Sequence, residues 1–227
     1  MWRLLHRWAR DCGGGVLVET TLLIPLLTTF LLGAVDYGLL SYQWGAATKA
    51  VAAGARLAAV SNPVASGLNA LSTSVINVGT VNPGDPMPAF TITCSGSTAS
   101  CTCAGAACAG ATISYNATAM NTLVYGRTAG ATSCQASATR YYAGMCNFLS
   151  GLTPSNVQVV YTQTGLGYVD RPDGPQPTVS VSLLQAPDAA AFKFQFFFLG
   201  SLLGLTNKTL GPFTTTVTGE ALSSSAQ

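Results

Sequence analysis

Apolar residues are concentrated in one long stretch near the beginning of the chain. The segment from Thr20 to Val35 contains no charged residue, and only Glu19 and Asp36 interrupt the wider run from 13 to 48. Because a hydrocarbon core of about 30 Å requires roughly 20 helical residues, this run predicts a membrane-spanning helix. The later apolar segment Phe196–Leu205 is too short to cross, so the pattern predicts a single-pass protein.

The charges around this run predict its orientation. Arg3, Arg7 and Arg10 precede it, whereas the first cations beyond it are Lys49 and Arg56. The positive-inside rule therefore predicts residues 1–14 as a basic cytoplasmic leader and places the chain after about residue 42 outside. A cleaved signal peptide is the alternative, but its apolar region normally has only about 7–15 residues, and helical sequence here continues to residue 60.

Small side chains recur every four residues in the second part of this segment. Ala46, Ala50, Gly54 and Ala58 form a ridge that lets another helix approach closely, and it would equally suit packing on the chain's own domain. Alanine favours helix, and Asn62-Pro63 ends it because the residue before proline avoids helical angles. We expect a transmembrane and extended helix over residues 15–60, about 70 Å long.

The pattern of residues 61–227 predicts an exported α+β domain in which a small antiparallel sheet faces a helix. An amphipathic helix is expected over Val64–Val78, with Leu68, Leu71, Val75 and Ile76 on one face. Runs of β-branched and apolar residues predict four strands, at Ala89–Thr93, Val157–Thr164, Thr178–Leu184 and Phe213–Val217. The alternation of Phe192, Phe194 and Phe196 favours a half-buried strand over a membrane-surface or partner-docking patch.

Cysteines are confined to two places. Six lie in a window over residues 94–146 that is rich in small residues, and the seventh, Cys12, lies on the leader side of the apolar run. This partition predicts a disulfide-bonded insert, although six cysteines allow 15 connectivities. A thiolate metal site is the alternative, but the spacing matches no ordinary zinc motif. The disulfide candidates are Cys94, Cys101, Cys103, Cys108, Cys134 and Cys146.

Composition narrows the function. Only 8% of residues are charged and 48% are apolar, which excludes disorder, and a net charge of +2 argues against a nucleic-acid partner. His6, the single histidine, lies in the leader, and Asp170 and Asp173 sit in a turn-like Asp-Arg-Pro-Asp-Gly segment that lacks the ligands of a calcium loop. We therefore expect no enzymatic activity, no cofactor and no metal.

Three glycines and a glutamate form a further pattern at the start of the apolar run. A basic leader is followed by Gly13-Gly14-Gly15, and Glu19 would be the fifth residue of a chain cut between Gly14 and Gly15. This arrangement resembles type IV pilins and pseudopilins. With Pro25-Leu26-Leu27, Asp36-Tyr37-Gly38 and the segment 52–58, residues 13–60 resemble the TadE/TadG family of tight-adherence (Tad/Flp pilus) minor pseudopilins.

The resemblance implies a function and partners. It implies a TadE-like minor pseudopilin of the bacterial inner membrane that acts in assembling a Tad/Flp-type pilus or secretion apparatus, with its C-terminal domain in the periplasm. Glu19 would be the assembly contact, where it would neutralise the terminal ammonium of a neighbouring subunit. The implied partners are other pilin-like subunits, Tad assembly proteins, a prepilin peptidase and the lipid bilayer. The alternative is a membrane-tethered envelope adhesin or binding domain without an assembly role.

Overall fold

The computed structural model describes residues 13–79, 81–127, 130–134, 143–185, 187–194, 197–198, 200 and 211–219. The chain divides into two compact units. The first comprises Met1–Tyr42 with Phe194–Lys208, and the second comprises Gln43–Lys193 with Thr209–Gln227. The leader predicted over residues 1–14 lies largely outside the described residues, which begin at Gly13.

Helix α1 extends from Gly13 to Ala59, so the predicted long helix is confirmed. Its apolar residues between Leu17 and Val35 are largely exposed within the chain. The part that belongs to the second unit is different, because it buries Ala47, Val51 and Ala55 completely. The helix ends with a tight turn, in which the N–H of Val60 donates to the carbonyl of Leu57 at 3.2 Å, just before the Asn62-Pro63 pair that predicted its end.

The second unit is built on a five-stranded antiparallel sheet, which confirms the predicted α+β class. The strands are β1 (Ala65–Ser66), β2 (Thr91–Ser95), β3 (Ser100–Ala104), β4 (Ser114–Tyr115), β5 (Val157–Thr162), β6 (Thr178–Leu183) and β7 (Thr214–Thr218), and the short helices are α2 (Leu71–Ser74) and α3 (Ala117–Tyr125). The strand order in the five-stranded sheet is β3-β2-β5-β6-β7, and a separate two-stranded pairing joins β1 to β4.

One face of this sheet forms the core of the unit. Alternate residues of β2, β5 and β6 are buried, while those between them are partly exposed, as expected for strands with one covered face. The partly exposed positions are mostly Thr, Ser and Gln, which tolerate contact with water. The buried positions are Ile92, Cys94, Val157, Val159, Tyr161, Val179, Val181 and Leu183.

The helix predicted over Val64–Val78 is wrong in its first half. Ala65 pairs with Tyr115 in a short ladder, the carbonyl of Val64 accepts the N–H of Asn116 at 2.8 Å, and Gly67 has a φ of 94°. These backbone groups are therefore used by β1 and by a glycine turn, and a helix begins only at α2. The periodicity nevertheless identified the correct buried face, because Leu68, Leu71 and Val75 are all buried.

The aromatic run after residue 191 also differs from its prediction. Phe192 and Lys193 belong to no strand, Phe194 is buried, and Phe196 lies outside the described residues. Phe197 and Phe198 are exposed, and their backbone N–H groups bond to the carboxylate of Asp36. In the described part of this run the predicted strand is therefore present only as an isolated β-bridge at Phe194, and the backbone donors of Phe197 and Phe198 bond to a side chain.

Candidate functional site

The exposed apolar surface of α1 is the clearest functional feature of the first unit. Leu22, Leu26 and Phe30 expose 70%, 69% and 77% of their surface. The most apolar part of the helix has a mean hydropathy of 1.8 and none of it is buried within the chain. A core helix of a soluble domain would bury such residues, so the exposure is consistent with a single-pass membrane protein.

Polar groups inside this apolar surface are bonded to their own helix. The hydroxyl of Thr28 donates to the carbonyl of Ile24 at 2.9 Å, that of Thr29 to the carbonyl of Pro25 at 2.7 Å, and that of Thr21 to the carbonyl of Val18 at 2.8 Å. Pro25 lies inside the helix and lacks an N–H. Hydroxyls satisfied in this way do not require water, which suits a lipid environment.

Glu19 lies near the start of α1 and is exposed. Its carboxylate makes no hydrogen bond or ion pair with any residue that the structure describes. Gly14 and Gly15, the residues of the predicted processing site, are both helical, and a side chain at position 15 would meet open space. The predicted roles of all three residues stay predictions, because processing and assembly both need molecules that the chain does not contain.

Asp36, at the other end of the charge-free segment, has a different environment. It is only 6% exposed, and its carboxylate accepts three backbone N–H groups from residues that the structure describes. The N–H groups of Phe197 and Phe198 donate to its Oδ1 at 3.2 and 3.1 Å, and that of Gly200 donates to its Oδ2 at 2.9 Å. We call this arrangement the Asp36 clamp. In the sequence, Asp36 stands out only as an interruption of the apolar run and as part of the Asp-Tyr-Gly motif, and neither pattern identifies these donors.

The small-residue ridge of α1 lies mostly within the second unit's core. Ala50, Gly54 and Ala58 are buried, and Ala46 is partly buried. A Cβ placed on Gly54 would lie 2.5 Å from Sδ of Met145, so a larger residue at this position would require the buried Met145 side chain to shift. Of the two interpretations left open by the sequence, the structure therefore shows the ridge packed on the chain's own domain.

The cysteine window contains three pairs at disulfide distance. Cys94 and Cys101 are direct partners across the β2–β3 ladder, with Cα atoms 4.0 Å apart. Cys103 pairs with Cys108, and Cys134 pairs with Cys146. The predicted disulfides are confirmed, and the structure selects one of the 15 connectivities. Within the ranges that the structure describes, no three metal-ligating side chains are grouped together.

Known proteins resemble the chain over α1. The family of TadE-like proteins matches residues 14–56, which confirms the TadE-like resemblance derived from Glu19 and its surroundings. The chain thus carries a TadE-like domain, and the match covers nearly all of α1, including both Glu19 and Asp36. No curated protein and no solved structure matches it significantly.

Proposed function

We propose that this protein is a minor pseudopilin that acts in assembling a Tad/Flp-type pilus or a related secretion apparatus. The observation that carries this proposal is the coincidence of the TadE-like match at residues 14–56 with a helix whose apolar residues between Leu17 and Val35 are largely exposed. A helix of this kind is suited both to a bilayer and to lateral packing against similar helices.

The proposed topology is a single pass through the bacterial inner membrane. The arginines of the leader favour a cytoplasmic N-terminus, and the domain after α1 would then lie in the periplasm. Three cysteine pairs in that domain support this orientation, because disulfides persist on the oxidising side of the membrane. The proposed partners are other pilin-like subunits, Tad assembly proteins and the lipid bilayer.

Glu19 is the proposed contact in assembly. An ionisable residue on a lipid-exposed helix surface is unfavourable unless another group pairs with it. Cleavage between Gly14 and Gly15 by a prepilin peptidase would create a terminal ammonium four residues before Glu19, and the ammonium of one subunit could pair with Glu19 of the next. Two opposite charges buried together are tolerable where either one alone is not.

The proposed role is non-enzymatic and requires no cofactor. Asp170 is in a turn and has a φ of 66°, a conformation in which an aspartate commonly bonds to its own backbone. His6, the single histidine, belongs to the predicted leader. Activity would thus rest on helix contacts instead of a reacting group.

The test replaces Glu19 by Gln, which keeps the side chain's size and removes its charge. We expect Glu19→Gln to abolish crosslinks between α1 and neighbouring pilin-like subunits and to reduce piliation, while the protein stays in the membrane. Thr20→Ser, at the adjacent exposed position, is the matched control and should behave as the unaltered protein.

Unchanged crosslinking and piliation in Glu19→Gln would remove the assembly role and favour a tethered envelope domain. N-terminal sequencing of the membrane-extracted protein tests processing separately. A mature chain that begins at Gly15 supports prepilin handling, and a chain that keeps residues 1–14 contradicts it.

A further inference from the structure

The Asp36 clamp joins two segments that are remote in sequence. Asp36 belongs to α1, whereas its three donors belong to the segment that begins at Phe194, and both belong to the same compact unit. Backbone N–H groups that enter an apolar environment need acceptors, and a buried carboxylate needs donors. In the Asp36 clamp the carboxylate supplies the acceptors and the backbone N–H groups supply the donors.

The position of Asp36 along α1 indicates where the clamp lies. Glu19 and Asp36 bracket the charge-free segment and are about 25 Å apart along the axis of a helix. That length is close to the thickness of the hydrocarbon core. Tyr37 and Tyr42 follow Asp36 and expose 72% and 74% of their surface, as is common for tyrosines at a membrane–water interface. Asp36 therefore lies at the boundary of the span.

The clamped segment itself has an unusual surface. Phe197 and Phe198 are exposed to 59% and 48%, although their backbone N–H groups are held by Asp36. No charged residue occurs between Lys193 and Lys208, and Lys193 is exposed. An apolar stretch too short to cross, flanked by lysines, has the composition of a segment that lies in the headgroup region.

We propose that Phe197 and Phe198 insert into the interface of the same bilayer that α1 spans, and that the Asp36 clamp holds them at that depth. The lipid surface is the partner because the backbone N–H groups of both phenylalanines bond to Asp36, which lies at the end of the predicted span. This inference rests on the proposed membrane anchoring, and it adds a second point of membrane contact. The Asp36 carboxylate is a positioning group in this arrangement.

The experiment measures fluorescence quenching in vesicles of phosphatidylcholine with brominated or ordinary acyl chains. The full chain is reconstituted in a background in which Trp2, Trp8 and Trp44 are replaced by Phe. A single tryptophan is then introduced by F197W. L26W, in the middle of the apolar segment, reports the span itself, and F148W, on an exposed phenylalanine of the second unit, is the matched control.

We expect brominated lipid to quench the F197W and L26W proteins strongly and the F148W protein weakly. Adding D36A to the F197W protein should lower its quenching towards that of the F148W protein. Adding D36A to the L26W protein should leave its quenching unchanged. Strong quenching of L26W with weak quenching of F197W would overturn the inference and spare the anchor, whereas weak quenching of both would overturn the proposed anchoring as well. Blue-shifted tryptophan emission from the F197W protein without quenching by brominated lipid would indicate a protein partner and contradict the lipid proposal.

Discussion

At the scale of single residues, Tyr161 shows how the sheet holds the chain that leaves α1. Its side chain is completely buried on β5, and its hydroxyl accepts the backbone N–H of Val64 at 2.9 Å. Burial raises the pKa of the Tyr161 phenol well above its usual range, although the hydrogen bond from Val64 opposes that shift. The phenol therefore stays neutral and serves as an acceptor.

Replacing Tyr161 by Phe should destabilise the protein. The variant leaves a buried N–H without an acceptor, which costs about 1–3 kcal/mol of the free energy of unfolding. The midpoint of thermal unfolding, measured on the full chain in detergent, should fall by roughly 2–4 °C for each kcal/mol. Tyr168→Phe is the control, since that side chain is 47% exposed and its variant should unfold like the unaltered protein.

The effect of Tyr161→Phe on the free energy of unfolding should also depend on pH, in a direction that the burial of the phenol determines. An unfolded tyrosine releases its proton near pH 10, whereas folded Tyr161 keeps its proton to higher pH, so the free energy of unfolding falls as the pH rises above about 10. Tyr161→Phe lacks this contribution. The stability difference between the two proteins should therefore narrow above pH 10, and a difference that widens there would contradict the buried neutral phenol.

The two carboxylates of α1 show how far single residues can be interpreted from sequence. Glu19 stands out because its distance from the glycines is a local pattern. The partner of Asp36 is 161 residues away in the case of Phe197, and no local pattern contains that information. An isolated acid at the end of an apolar run was the available signal, but no partner was predicted for Asp36 from it.

At the scale of elements, strands with strong alternation could be predicted and strands of small residues could not. β6 alternates valine with polar residues, β5 is rich in valine and also contains tyrosine and threonine, and both strands were predicted to within two residues. β3, with the sequence Ser-Cys-Thr-Cys-Ala, was missed because it has no large apolar residue, and a disulfide to β2 helps to hold it instead. Helix α3 was also missed, although Asn116 caps it by accepting the N–H of Ala119.

The cysteine pairing can be tested by peptide mapping of the unreduced protein. Trypsin cuts after Arg127 and Arg140 but not between Arg171 and Pro172, so Cys134 and Cys146 fall on separate peptides, 128–140 and 141–193. We expect mass spectrometry to find these two peptides joined by one disulfide. The peptide 57–127 should carry two internal bridges among its four cysteines.

Reduction before digestion is the control and should release 128–140 as a free peptide. A disulfide that joins 57–127 to either of the other two peptides would show that the connectivity is different. The hairpin of β2 and β3 would then need another explanation for its stability.

At the scale of the whole molecule, the family match and the fold carry different information. The TadE-like match ends at residue 56, so it covers α1 and none of the strands. The sheet domain could be predicted from alternation in its strands and from its cysteines, but these features identify no partner. The apolar part of α1 could be predicted from sequence because a bilayer requires a certain length and composition of a spanning helix, whereas the contacts within the sheet domain follow no such simple rule.

The central claim is that α1 stays on the mature protein and anchors it in a membrane. The most direct measurement combines alkaline carbonate extraction of cell membranes with intact-mass spectrometry of the recovered protein. We expect a protein that resists extraction and whose mass corresponds to a chain that begins at Met1 or at Gly15. A soluble species whose mass lacks the apolar residues up to about Leu40 would contradict it.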